Sequence, residues 1–101
     1  MDTTHVGCTA EAASGVAQIT VNAEGENEIV IVPGANGKLT PDDVSAASPA
    51  FARAEVLLTQ LEVPMAVNLA ALRAGRAAGL MTVFNAAPAP TEPLPDEARR
   101  V

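Results

Sequence analysis

The amino-acid sequence predicts an α/β chain in which a β-hairpin is followed by a βαβ unit of a parallel, Rossmann-like sheet. Three observations carry this. Two alternating apolar runs flank a polar turn in residues 15–36, "GVAQITVNAEGENEIVIVPGAN". Two short, continuous apolar runs, "VLLTQL" and "MTVFN", lie on either side of a helical stretch opened by Pro64 and closed by Gly79. Strand, helix and strand over roughly thirty residues is the spacing of a crossover unit, whose strands must be parallel and whose connection is almost always right-handed.

Taken in order, residues 1–14 are a lead-in that is polar and small with no sustained period. In residues 15–36, Ala17, Ile19 and Val21 fall on one face of a strand while Gln18 and Thr20 fall on the other. The run "EIVIV" is β-branched, and "NAEGEN" supplies the Asn and Gly that a hairpin loop uses. Two strands alone are marginal in water, so the ribbon must lie on something or pair with something.

Residues 37–86 form a partial α/β body. Thr40 is placed as an N-cap, Pro41 at the first helical position, and Asp42 and Asp43 at the positive end of the helix dipole. This short helix ends near "SPAF". Val56, Leu57 and Leu58 read as a strand buried on both faces. Met65, Leu69 and Leu72 then recur at helical spacing, with Arg73 and Arg76 read as the wet face and Gly79 as the stop. A parallel pair needs helices on both faces, and one crossover helix with a short companion cannot supply them, so the sheet is expected to be incomplete. Residues 87–101 are a Pro-rich tail, expected as turn or extended connector.

Composition narrows the function classes. Aliphatic residues dominate, with two Phe and neither Tyr nor Trp, which predicts a thin core. A net charge of -6 disfavours a nucleic-acid partner, which needs a positive surface. The single Cys8 cannot form an internal disulfide, and no apolar run reaches membrane-spanning length, so a cytoplasmic setting away from membranes is expected.

Ligands of open parallel sheets gather beyond the carboxyl ends of the strands. Glu62 follows "VLLTQL" and Asn85 ends "MTVFN", so both emerge at one sheet edge, although Glu62 could equally cap the helix that starts at Pro64. His5 and Cys8 are too few for a metal site. "PGANG" reads as the turn closing the hairpin, without a phosphate-binding lysine or a three-glycine fingerprint. The "PTEP" spacing is better read as solvated connector than as a polyproline ligand, and no Ser/His/Asp, Cys/His or paired-carboxylate set is present.

The segments "SGVAQITVNAEGENEIVIVPGAN", "LLTQLEVP", and "FNAAPA" followed by "LPDE" resemble, in order and spacing, consecutive segments from the middle of the ribokinase-like (PfkB) carbohydrate kinases. The combination of "GEN", "PGAN" and "QLE" is similar to ribokinase more than to its sister kinases. The resemblance implies that the hairpin is a lid that covers the sugar and pairs with a second subunit's lid in a homodimer. It implies that Ala17 and Ile19 press on the sugar, that Glu62 hydrogen-bonds a sugar hydroxyl, and that Asn85 stands at the active-site edge. There the family's Asn-Pro is Asn-Ala, with Ala86 in the second position, which loosens the turn.

The activity implied for a complete enzyme is transfer of the γ-phosphate of ATP to the 5-hydroxyl of D-ribose, with Mg2+ and a monovalent cation such as K+. The family's G-G-K-G-A-N segment and its G-A-G-D segment, which carries the anion hole and the catalytic aspartate, do not occur in this sequence. No catalytic, nucleotide-binding or metal-binding residue is therefore assigned, and the chain alone is expected to be inactive. The alternatives are another sugar or nucleoside kinase of the family, or a non-catalytic module that pairs through the hairpin edge.

Overall fold

The computed structural model describes residues 2–100, so the extreme ends of the lead-in and of the tail lie outside it. Strand β1 (Val16–Val21) pairs antiparallel with β2 (Asn27–Val32), with Ala17 opposite Ile31 and Ile19 opposite Ile29. Ala17, Ile19, Val21, Ile29 and Ile31 thus share one face as the alternation predicts, but neither face is buried, and Val16, Val30 and Val32 make the opposite face partly apolar too. The turn is built by Asn22, whose Oδ1 accepts from the backbone N–H groups of Glu24 (3.1 Å) and Glu26 (2.9 Å). Gly25 occupies the positive-φ position, at 84°.

The "PGANG" stretch is a 3-10 helix, Gly34–Lys38, rather than a bare turn. It is tied to the lead-in by a hydrogen bond of 2.8 Å from the Ala35 N–H to the Ala13 carbonyl. Helices α1 (Pro41–Ala46) and α2 (Ser48–Phe51) follow. At the start of α1, the Asp43 carboxylate accepts from both the backbone N–H and the hydroxyl of Thr40, at 2.8 Å each. Those two bonds hold the Asp43 carboxyl below the usual carboxylate range.

Strand β3 (Val56–Gln60), helix α3 (Met65–Ala77) and strand β4 (Met81–Asn85) form the βαβ unit, and β3 and β4 are parallel with Gln60 opposite Asn85. Helix α3 ends in a Schellman motif: Leu80 N–H reaches the Gly75 carbonyl (2.9 Å) and Gly79 N–H the Arg76 carbonyl (3.0 Å), with Gly79 at φ 76°. Its buried residues are Val67, Asn68, Ala71, Leu72 and Gly75. The seam therefore lies one step round from the Met65–Leu69–Leu72 stripe read from the sequence. Asn68 and Gly75 do not count as apolar, yet they face the sheet at i and i+7.

Among the described residues only one face of the parallel pair is covered. Leu57 and Thr82 lie under α3, whereas Leu58 (68% exposed) and Met81 (67%) stand on a bare face. The continuous apolar runs are thus explained by a second layer that the described residues do not supply.

The tail departs from its reading as a solvated connector. Ala98 is buried to 1% exposure, and the Glu97 carboxylate receives Arg73 through Nε (2.6 Å) and Nη2 (2.5 Å) and Arg76 through Nη2 (3.4 Å). Arg76 also donates to the Glu97 and Arg100 carbonyls, at 3.4 and 3.2 Å. Arg73 and Arg76 are therefore not simply a wet face. They clamp the tail because an Arg fork matches a carboxylate in geometry as well as charge. No helix among the described residues is long and apolar enough to cross a membrane.

Candidate functional site

Strand β3 delivers Leu61 and Glu62 beyond its carboxyl end, and that end is fixed from below. Asn68, with no exposed surface, donates from Nδ2 to the Gln60 carbonyl at 2.9 Å and accepts the Thr59 hydroxyl at Oδ1. From the other side, Leu61 N–H donates to the Ala87 carbonyl (2.9 Å), which ties the chain leaving β3 to the chain leaving β4. Ala87 is joined to Pro88 by a cis peptide bond.

The root of the hairpin stands over this edge, and between the two lies a cleft of about 390 Å³. Its hairpin wall includes Val16, Ala17, Ile31 and Asn36, and its strand-end wall includes Leu61, Glu62, Pro64 and Pro88. The volume is in the range of small-molecule sites, and the composition, mostly apolar with a few polar groups, is of that kind. Glu62 is exposed and is the one charged side chain on the lining. It does not cap α3, whose N-cap position is Pro64 and carries no side-chain cap.

Of the residues singled out from the sequence, the fold brings Ala17 and Glu62 together on the cleft. Ile19 lies on the same hairpin face as Ala17, two pairs further toward the tip and 60% exposed, off the lining. Asn85 shares the strand-end edge through its pairing with Gln60 but does not line the cleft. Two residues escaped sequence reasoning. Asn68 looks like an ordinary polar position on a helix until α3 is docked, and Asn36 sits in what reads as a turn. The signal that could have found Asn68 is its place at i−4 from Leu72 on the buried seam.

The donor set bears on the nucleotide question. Among the described residues no lysine, arginine or histidine lines the cleft, and Glu62 would repel a triphosphate. Among the described residues no group of three or more His, Cys, Asp or Glu could hold a metal ion. The cleft suits a neutral polar ligand and does not fit ATP or its metal.

No protein-family model matches the chain. It is 45% identical over 97 residues to a ribokinase of Staphylococcus aureus (strain COL), covering 96% of this chain and 31% of that protein. It is 48% identical over 81 residues to a ribokinase of Mus musculus, covering 80% and 25%. A deoxyribokinase of Salmonella typhi is 36% identical over 89 residues, covering 88% and 29%. Among solved structures, the one described as Sa239 superposes with a TM-score of 0.89 at 45% identity, over 97% of this chain and 32% of that one. An Arabidopsis thaliana ribokinase complexed with ribose and ATP superposes at 0.68 with 27% identity, over 87% and 28%. The chain spans about a third or less of the length of these relatives.

Proposed function

Given that the chain belongs to the ribokinase-like (PfkB) carbohydrate kinases, we propose that it is the sugar-facing portion of a kinase that phosphorylates D-ribose at the 5-hydroxyl with ATP. The observation that carries this is the cleft between hairpin root and strand ends, where an apolar wall at Ala17 meets a carboxylate, Glu62, left free by the helix it could have capped. An ionised carboxylate accepts hydrogen bonds only, so it suits the hydroxyls of a neutral sugar. Ile19 closes over the sugar from the same hairpin face, and Asn85 supports the edge from β4.

In this reading ATP, Mg2+ and a monovalent cation such as K+ are held by parts of a complete kinase outside this sequence, as are the base and the anion hole. The hairpin edge pairs with that of a second subunit, and the setting is the cytoplasm. The 101-residue chain alone is expected to release no ADP above background from ATP, Mg2+ and ribose. Metal-dependent turnover would overturn that.

The positive test is a chimera in which this chain replaces the matching 97-residue stretch of the Staphylococcus aureus relative. It should phosphorylate ribose, and Glu62→Gln within it should lower kcat/KM about tenfold or more through the lost charged acceptor. A chimera that folds but ignores ribose would remove the reading. The similarity to deoxyribokinase favours a second reading, with 2-deoxyribose as the sugar, and the chimera's substrate profile separates the two.

A further inference from the structure

We infer that Asn36 is a sugar-specificity residue, its side-chain amide taking a substrate hydroxyl on the hairpin side of the cleft while Glu62 takes another on the strand side. The inference rests on the sugar-binding reading above and adds a residue to it.

Among the described residues Asn36 and Glu62 are the two polar side chains on the lining. A carboxylate cannot donate, whereas sugar hydroxyls both donate and accept, so a cleft with Glu62 alone would leave ligand oxygens without a side-chain donor. Asn36 supplies a donor and an acceptor in one group.

Its backbone is fixed in the 3-10 helix, where its N–H meets the Pro33 carbonyl at 3.1 Å, but its amide makes no hydrogen bond among the described residues. Asn22 shows what a turn-forming asparagine does in this chain: its Oδ1 caps two backbone N–H groups. Asn36 does nothing of the kind. Instead its Nδ2 lies beside Gly15, where an added Cβ would stand 3.4 Å from that nitrogen and 2.8 Å from the Pro33 oxygen. The close approach of the Pro33 carbonyl is what requires a glycine just before β1, and the Asn36 amide lies at ordinary contact distance beside it on the cleft wall.

The test is an NMR titration of the full 101-residue chain with D-ribose and with 2-deoxy-D-ribose. The side-chain NH2 signals of Asn36 should shift on adding ribose, and Asn36→Ala should weaken ribose binding about tenfold. Asn36→Ser, which keeps a donor and an acceptor, should recover part of the loss. If Glu62→Gln weakens binding while Asn36→Ala stays within about twofold of the parent and the Asn36 NH2 signals do not move, the inference falls and the sugar site stands. If the parent binds neither sugar, both fall. The parent spectrum carries its own readout, so a variant that fails to fold does not rescue the idea.

Discussion

Asn68 is the residue on which the geometry of the strand end turns. It is wholly buried, and both ends of its amide are used, one on the Thr59 hydroxyl and one on the Gln60 carbonyl. Truncating it to alanine strands both partners and leaves a small void. Asn68→Ala should cost about 2–3 kcal/mol, read as a lower urea midpoint. A variant within about 0.5 kcal/mol of the parent would show that water replaces the amide without loss. Gly75 tests the other contact of the same helix. A Cβ there would lie 2.7 Å from Leu57 Cδ2 and 3.2 Å from Thr82 Cγ2. Ala would trade about 1 kcal/mol of helix propensity against that crowding, whereas Gly75→Val adds bulk with no such return. The valine variant should lose about 2 kcal/mol or more, and an unchanged midpoint would mean that α3 sits further from the sheet than described. Neither residue stands out in the sequence, because a hydropathy pattern rewards what is apolar and is silent about a glycine needed for close approach or an amide needed for strand ends. The place of Glu62 on the cleft lining was legible because it follows a strand. Asn36 was not, because its turn-like surroundings give an asparagine a local reason to be there.

Helix α3 and the tail form one element pair that the chain order conceals. The strands and α3 were readable from period, Pro64 and Gly79, since each rests on local rules. The clamp was not, because Arg73 and Glu97 are far apart in the sequence and meet only after the tail has turned back. The Arg73 guanidinium hydrogen-bonded to Glu97 holds that carboxyl below the ordinary glutamate range, and Glu97 raises Arg73 in return. The sign follows from linkage: a carboxyl depressed in the folded state stabilises it fully above its unfolded value, and that contribution is lost as pH falls through the folded value. The tail should therefore stay docked near neutrality and release as pH drops below about 4.3, the unperturbed glutamate value. Amide exchange at Ala98, whose N–H bonds the Pro95 carbonyl at 2.9 Å, reports it. Glu97→Gln should give the fast exchange at all pH values and remove the transition. A transition that survives in Glu97→Gln would assign it to another acid. These groups are exposed enough that added salt should weaken the clamp as well.

The molecule as a whole carries more surface than its mass calls for. A folded monomer of 10.2 kDa should expose about 5,300 Å², whereas this chain exposes 7297 Å². Its radius of gyration of 15.4 Å likewise exceeds the roughly 13 Å of a compact domain of this length. The excess, roughly 2,000 Å², is of the size of a stable protein interface; the exposed lead-in and Pro-rich stretch add to it, and its large apolar residues lie mainly on the hairpin faces and the bare side of β3 and β4. A thin core with such surfaces should not remain monomeric as concentration rises. Sedimentation velocity on the isolated chain should show the mean sedimentation coefficient climbing between about 5 and 200 μM, a range chosen to span weak association. Two variants separate the surfaces. Ile19→Lys charges the apolar hairpin face, and Leu58→Lys charges the bare sheet face. If the hairpin pairs chains, as proposed for the kinase dimer, Ile19→Lys should abolish a discrete dimer and leave the sheet variant dimeric. If the bare sheet dominates, association should be polydisperse and Leu58→Lys should suppress it, because a flat parallel face left by a missing layer offers no register to stop growth at two. A parent that stays monomeric throughout would mean that neither face is as open in solution as its exposure implies.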